Sequence, residues 1–358
     1  MTSTTHKSVT VNPFSQLKLL NHLDRLQQWK QTGDTTPVQI GLDVTNVCNH
    51  RCPMCNGAEV SDHNTIPLLD VKRIVSEAAA LGVKAVTLSG GGDPTCHPDI
   101  AEILYFIHEH GLEAAMFTNG QLMPEAIRKA IVDCCTWVRV SLDADGPALF
   151  QETHGMNGGA FQKVLDNTKA LVELRAERKT DATIGTSFLI GAHTIDGIVG
   201  AAKIASELGV DYIRLRPFFT WGGDVPFQRE DQERVIAALE TAQQNERDDF
   251  KVSYPEMRTT WVGSDEPPVR YTHCHVHRFV TAVTADMKVY LCCHTKDAEK
   301  YVLGDLRTQS FAEIWNSQKR REVYTNIDFK DCAYPCMLSA HNELLHAVAN
   351  PSGHANFL

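Results

Sequence analysis

Val38-Gln39-Ile40-Gly41-Leu42-Asp43-Val44 reads as a buried strand, and directly after it comes Cys48-Asn49-His50-Arg51-Cys52-Pro53-Met54-Cys55. Three cysteines at a C-x3-C-x2-C spacing sit just beyond a strand end. The count of three is informative. A structural zinc site is closed by four ligands, and a cubane iron–sulfur cluster is usually held by four cysteines. Three protein thiolates leave one iron open, and an open iron can bind a substrate or cofactor. Two other readings compete: a zinc knuckle completed by His50 or His63, or three thiols that merely lie close together.

The chain has 358 residues, enough for one large barrel and a small appendage. Its 43% apolar and 22% charged residues are ordinary for a globular protein. The net charge of −10, without a long basic run, disfavours nucleic acid, because phosphate contacts need clustered Lys and Arg. No apolar run reaches the roughly 18 residues of a membrane span, and Met1–His6 has no signal-peptide core. Eleven cysteines in a leaderless chain suggest metal or redox chemistry in a reducing cytoplasm.

The cysteine spacing resembles that of the radical S-adenosylmethionine (SAM) superfamily. The resemblance implies a [4Fe-4S] cluster on Cys48, Cys52 and Cys55, whose open iron chelates the amino and carboxylate groups of SAM. Reductive cleavage then yields methionine and a 5′-deoxyadenosyl radical, which removes a hydrogen atom from the substrate. Met54 stands where the family often has an aromatic residue, and it keeps a soft apolar contact.

Outward from the motif, short β-rich runs alternate with amphipathic helices. Strands are expected at Gln39–Val44, Ala85–Ser89, Ala114–Thr118, Trp137–Ser141, Thr183–Ile190 and Tyr212–Arg216. Helices are expected at Asp70–Leu81, Pro98–His110, Pro124–Val132, Ala160–Arg178 and Thr194–Leu208. This alternation specifies an α/β fold with a parallel sheet and right-handed crossovers. It suits the partial (β/α)6 barrel that the resemblance implies, with chemistry at the C-terminal strand ends. The expected division is an N-terminal extension with a short helix (1–37), a barrel (38–255), a small C-terminal cluster-binding domain (256–340), and a helix end and tail (341–358). Past the sixth strand come a Trp221-Gly222-Gly223-Asp224 loop, a helix over about Arg229–Asn245 and a strand-like Phe250–Tyr254. The last helix, Leu338–Val348, and the tail are apolar enough to dock over the barrel mouth.

Ser89-Gly90-Gly91-Gly92-Asp93-Pro94 resembles the family's Gly-Gly-Glu motif, which implies that Gly91, Gly92 and Asp93 hold the amino group of SAM. Asp93 is one methylene shorter than the usual Glu. Asn119 and Ser141 stand at strand tips where the family places ribose and carboxylate contacts. Alternation puts Arg139 on the same face as Ser141, and a lumen-facing Arg needs an anionic partner. That partner is the carboxylate of SAM or a substrate anion; the alternative is an outward Arg139 paired to a helix carboxylate. Arg216, at the tip of the sixth strand, is a further candidate for a carboxylate.

Cys274, a hairpin, Cys292, Gly304-Asp305-Leu306, a helix at Phe311–Ser317 bearing Trp315, and the pair Cys332 and Cys336 resemble the Twitch form of the SPASM domain. The resemblance implies that Cys274, Cys292, Cys332 and Cys336 hold a second, auxiliary [4Fe-4S] cluster. Met287 takes a hairpin position usually given to glycine. Cys293 should face away from Cys292 as a packed thiol, and a zinc site using His273, His275, His277 or His294 is the alternative. Cys134 and Cys135 are expected in the core, with Cys96 packing as a small apolar group.

The expected function is radical SAM enzymology on a small polar metabolite (sugar, cyclitol or nucleoside), with an electron donor such as flavodoxin or ferredoxin. The absence of a leader-recognition domain ahead of the motif favours this over peptide crosslinking, epimerisation or side-chain oxidation. A non-catalytic metal scaffold is the reading from another class.

Overall fold

The computed structural model describes residues 14–55, 62–218, 228–254, 271–296, 298–333 and 336–353. A 3-10 turn, Gln16–His22, leads into α1 (Leu23–Thr32). Then come β1 (Gln39–Asp43), α2 (Leu68–Leu81), β2 (Ala85–Ser89), α3 (Ile100–Glu109), β3 (Glu113–Thr118), α4 (Glu125–Cys134) and β4 (Cys135–Ser141). Next are α5 (Pro147–His154), α6 (Gly158–Arg178), β5 (Thr183–Ile190), α7 (Ile198–Leu208), β6 (Tyr212–Pro217), α8 (Gln232–Gln243) and β7 (Lys251–Ser253). The C-terminal part supplies β8 (Val280–Val283), β9 (Lys288–Tyr290), β10 (Val302–Asp305), α9 (Phe311–Trp315), α10 (Gln318–Thr325) and α11 (Ser339–Ala349).

β1 to β7 pair in parallel and in chain order, each with the next. The helices bury periodic apolar stripes against one face. In α2 these are Val71, Ile74, Val75 and Ala78, and in α3 Ile100, Ile103, Leu104 and Ile107. Ile40, Leu42, Val86, Leu88, Val138, Val140, Ile213 and Leu215 meet them from the strands, fully buried. The alternate positions, among them Gln39, Thr87, Arg139, Ser141, Arg214 and Arg216, face the lumen. No helix among the described residues is long and apolar enough to cross a membrane.

The C-terminal hairpin is not a separate layer. β8 pairs in parallel with β1, β9 and β10 add antiparallel strands, and one ten-stranded sheet runs β10-β9-β8-β1-β2-β3-β4-β5-β6-β7. The expected boundary at 255/256, the Trp221–Asp224 loop and the tail beyond Gly353 lie outside the described residues. Met287 adopts φ +61, the left-handed conformation that the hairpin turn demands. α10 was not expected: its first five residues are polar, Val323 and Tyr324 alone are apolar, and Arg320 is its buried residue.

α11 does not cover the barrel mouth. Leu345 joins Leu19, Leu26, Trp29, Val276 and Phe279 in a second core. Phe279 O accepts from Val38 N and Gln39 N, so this core lies at the N-terminal ends of the strands, away from the cysteine loop. Apolar pairing between the two chain ends decides the docking.

Trp315 joins the C-terminal part to the chain start. It is 2% exposed, its indole N–H donates to Thr35 O (2.9 Å), and the Arg320 guanidinium stacks 4.2 Å from its ring. Arg320 also pairs with Asp34. Trp315→Ala should destabilise the protein by about 3–5 kcal/mol in chemical denaturation, the usual cost of emptying a buried Trp site.

Candidate active site

The loop that carries the three cysteines is clamped by its neighbours. Val44 O and Asn46 N bond Ile66 N and Asn64 O on one side. On the other, Gly92 N donates to Thr45 O (3.1 Å) and Asp93 N to Val47 O (3.0 Å). The glycines are needed for this approach. A methyl group at Gly92 would sit 2.1 Å from Val47 O, and one at Gly91 2.4 Å from Asn46 Oδ1. In this structure the Gly-rich turn packs against the cysteine loop itself.

Asp93 is 4% exposed, and its carboxylate accepts from Thr95 N (2.8 Å), Thr95 Oγ1 (2.6 Å), Thr118 Oγ1 (3.0 Å) and Asn119 N (2.5 Å). It ties the β2 turn to the tip of β3. Asn119 Nδ2 in turn donates to Asn49 Oδ1 (2.8 Å) and lies 3.9 Å from Cys48 Sγ. Asn49 Nδ2 donates to Gln121 Oε1 (3.0 Å), which also contacts His50 Nε2 (2.6 Å). Polar contacts therefore run from Asp93 to the cysteine loop.

None of Cys48, Cys52 and Cys55 is in a disulfide. Burial raises the Cys48 thiol and pushes Cys52 well above its ordinary range; in both, the neighbouring thiols raise it further. His50 N donates to Cys48 Sγ (3.4 Å), the kind of contact that stabilises a thiolate. His154, at the end of α5, was not singled out from the sequence. Its Nδ1 lies 3.5 Å from Cys52 Sγ and 3.1 Å from His50 Nδ1. Its Nε2 lies 3.1 Å from Leu142 O, which can only accept, and Phe150 stacks on its ring. Burial pushes His154 down to about 3. His63, the other zinc candidate, is exposed.

At the strand tips, Asp143 is buried with φ +46, and Leu189 N donates to its carboxylate (2.8 Å). Burial raises this carboxyl to about 7, and Arg216 opposes the rise. Burial lowers Arg216 to about 10, with Arg139 adding repulsion. Arg139 faces the lumen inside an aromatic cage: Phe117, Trp137, Tyr212 and Phe14 have ring centroids 5.0–5.6 Å from its guanidinium. Ser141 is half-buried on the same face.

The C-terminal thiols also gather. Cys274 is raised by burial and then by Cys336 and Cys332, Cys332 by burial and then Cys336, and Cys292 by its contact with Cys293, by burial and lastly by Cys336. Backbone N–H groups aim at their sulfurs: Val276 and His277 at Cys274, His294 at Cys292, Leu338 and Ser339 at Cys336. Cys293 is not a packed thiol. β9 ends at Tyr290, so alternation no longer applies, and Cys293 is exposed, with Lys296 and Asp43 among its charged neighbours. Cys134 and Cys135 are buried in the core, whereas Cys96 points its thiol at Asn49 Oδ1 (3.6 Å).

The donor geometry separates zinc from a cluster. A tetrahedral zinc with Zn–S bonds near 2.3 Å holds its sulfurs about 3.8 Å apart. Among the described residues, no three cysteine sulfurs lie within 4.8 Å of one another, and His273, His275, His277 and His294 join no such group; the one set that does is His50, Cys52 and His154. Two thiol sets that are wider than zinc allows and served by N–H donors fit polynuclear iron–sulfur clusters.

The family model of the radical SAM superfamily matches residues 42–195, and that of an iron–sulfur cluster-binding domain, SPASM, matches 274–339. The chain is a radical SAM enzyme of the SPASM/Twitch subgroup. This radical SAM enzyme is 28% identical over 176 residues to the AdoMet-dependent heme synthase of Methanosarcina barkeri, covering 48% of each chain. It is 32% identical over 139 residues to the GTP 3′,8-cyclase of Aeromonas hydrophila, covering 36% of this chain and 40% of that one. It thus spans about half the length of the curated relatives it matches. Among solved structures it resembles Streptococcus suis SuiB bound to S-adenosylmethionine, with a TM-score of 0.66 at 15% identity over 86% of this chain and 72% of that one. Native anSMEcpe with bound AdoMet gives 0.58 at 16% identity, over 83% and 88%. These likenesses show the fold. The radical SAM domain implies a [4Fe-4S] cluster and SAM, and the SPASM domain an auxiliary iron–sulfur cluster.

Gly92→Ala should displace the cysteine loop. After anaerobic reconstitution we expect bound iron to fall to about half, the loss of one of two four-iron clusters, with an unchanged far-UV circular dichroism spectrum. Asp143→Asn tests the buried carboxyl. Its folded pKa lies above the ordinary 3.8, so the native state binds the extra proton and loses stability as pH rises from 4 to 7. Denaturation across that window should show wild type falling relative to Asp143→Asn, by on the order of 1 kcal/mol per pH unit.

Proposed function

We propose that Cys48, Cys52 and Cys55 hold the SAM-binding cluster, and that Cys274, Cys292, Cys332 and Cys336 hold the auxiliary cluster as a fully ligated [4Fe-4S] centre. When bound, cluster and SAM supply the one-electron chemistry that removes a hydrogen atom from a substrate carbon. The chain's own residues bind, orient and exclude water. Asp93 fixes Asn119 against the cysteine loop, while the Gly91–Gly92 backbone lies beside that loop. Ser141 and Arg216 stand at the strand tips, where a carboxylate of SAM would meet a hydroxyl and a guanidinium. We take 38–255 as the barrel and 256–340 as the cluster domain; β7 ends at Ser253 and β8 begins at Val280 on either side of that join. Eleven cysteines, none of them in a disulfide, support a reducing, cytoplasmic setting, with a flavodoxin or ferredoxin as electron donor.

The substrate we propose is a small polar metabolite, oxidised or rearranged in the lumen. The lumen wall carries this reading: it bears Gln39, Thr87, Ser187, Tyr212 and Arg214, and Phe14 packs edge-on to Tyr212. The relatives named for heme synthesis and GTP cyclisation support a small-molecule substrate.

The test is anaerobic. The reconstituted enzyme is given SAM, a reductant and source-cell extract split by ultrafiltration, and 5′-deoxyadenosine is quantified. We expect stimulation by the small-molecule fraction, and loss of all cleavage in the Cys48/Cys52/Cys55→Ala variant. Stimulation by the retained fraction alone would move the substrate to a peptide or protein.

A further inference from the structure

Among the described residues, Arg139 and Arg214 in the lumen have no carboxylate partner. Arg139 on β4 and Arg214 on β6 flank β5, where Arg139 is in register with Gly185 and Arg214 with Ser187. Their guanidinium carbons lie 5.6 Å and 4.5 Å from the centroid of one ring, Phe14, so both cations lie against the same aromatic side chain. Gly185 makes room for this arrangement: a methyl there would sit 2.2 Å from the Tyr212 ring, which crosses β5 to accept a hydrogen bond from Arg139 Nε at its hydroxyl (3.1 Å). Arg214 Nη1 donates to Ser253 Oγ (2.6 Å). All of these partners are neutral.

The nearby carboxylates are engaged elsewhere. Asp43 pairs with Lys296 (2.7 Å) and accepts from Ser89. Asp143 lies beyond the tip of β4, held by Leu189 N. Glu113 is at the opposite, exposed end of β3. Among the described residues no carboxylate forms an ion pair with Arg139 or Arg214. Burial and the Arg139 charge lower Arg214 only to about 10, so it stays cationic at neutral pH. Two like charges, half-buried, hydrogen-bonded to neutral partners and with the Lys18 and Arg216 cations as further neighbours, are costly unless an anion joins them. Arg139 is two residues below Ser141 and Arg214 two below Arg216, about 7 Å deeper along each strand. A group at the strand tips would stop short of this level.

We propose that Arg139 and Arg214 form an anion subsite for the substrate, which therefore carries a carboxylate or a phosphoryl group at the end inserted into the barrel. The proposal rests on the small-metabolite reading of the lumen. Ser187, in register between Ser141 and Arg214, adds a hydroxyl with no hydrogen bond to the described residues. The hydrogen-bearing carbon would then face upward to the cysteine loop, with the anion as the anchor below.

The test uses the reconstituted full chain with SAM. The small-molecule fraction of source-cell extract is passed over an anion exchanger at pH 7, and each pool is assayed for stimulated 5′-deoxyadenosine release. We expect the stimulating compound in the retained pool. Alkaline phosphatase treatment of that pool distinguishes a phosphate ester, whose stimulation is lost, from a carboxylate, whose stimulation persists. Stimulation from the unretained pool overturns the subsite and leaves the small-metabolite reading intact; stimulation only from macromolecules overturns both. Calorimetry with pyrophosphate and citrate as probes gives a second readout. At least one probe should bind, and Arg139→Gln and Arg214→Gln should each weaken it by about tenfold, the loss of one charged hydrogen bond. Binding of neither probe to the wild-type protein, or equal binding to both variants, overturns the subsite.

Discussion

The buried Asp93 carboxylate is the constraint on which the site depends. It takes four donors from Thr95, Thr118 and Asn119, so the β2 turn and the tip of β3 become one rigid piece. The backbone of that turn then grips Val47, the residue before Cys48. A charged acceptor with all its donors in place holds more firmly than neutral pairs. Glycines at 90–92 are the other half of the device, because a side chain would prevent the approach. The cysteine loop is thus positioned by a strand, a glycine turn and a carboxylate before any iron binds.

The lumen follows from the sheet. Parallel strands covered by helices bury one set of alternate residues in apolar packing and leave the other set to line an interior. Here the second set mixes aromatic side chains such as Phe117 and Trp137 with Gln39, Thr87, Ser141, Ser187 and three arginines. The N-terminal segment brings Phe14 against two of them, and the C-terminal hairpin extends the same sheet from β1. Cys293 and Lys296 consequently reach groups at the top of β1 and the tip of β6. The two thiol sets are parts of one sheet-built body.

Much of this was legible in the sequence because it is local. Strand periodicity located β1 to β6, with Thr183–Ile190 placed to the residue, and the helix stripes set their partners. The matched families carry the cofactors. What was not legible is non-local. Pairing of β8 with β1 needs contacts across most of the chain, and no pattern within either strand names its neighbour. α11 has an apolar face, but its partner at α1 depends on tertiary packing. His154 stands in a helix far from the cysteines and reaches Cys52 only because α5 folds back under Leu142. For Arg139 the sequence left a lumen-facing and an outward placement open, and its aromatic cage draws on four separate segments. Asp93 read as a ligand-facing carboxylate, whereas the structure shows both its oxygens bonded within the protein; Thr95 two residues on is the local signal for that turn.

Iron in the reconstituted protein gives the most direct measurement of the central claim that one thiol set leaves an iron open and the other does not. Mössbauer spectra of the 57Fe-loaded enzyme should show two [4Fe-4S] clusters, and SAM should shift the signal of a single iron in one of them. That shift should vanish in the Cys48/Cys52/Cys55→Ala variant, which keeps the second cluster. A spectrum insensitive to SAM, or one that responds equally after loss of the three cysteines, would contradict the account.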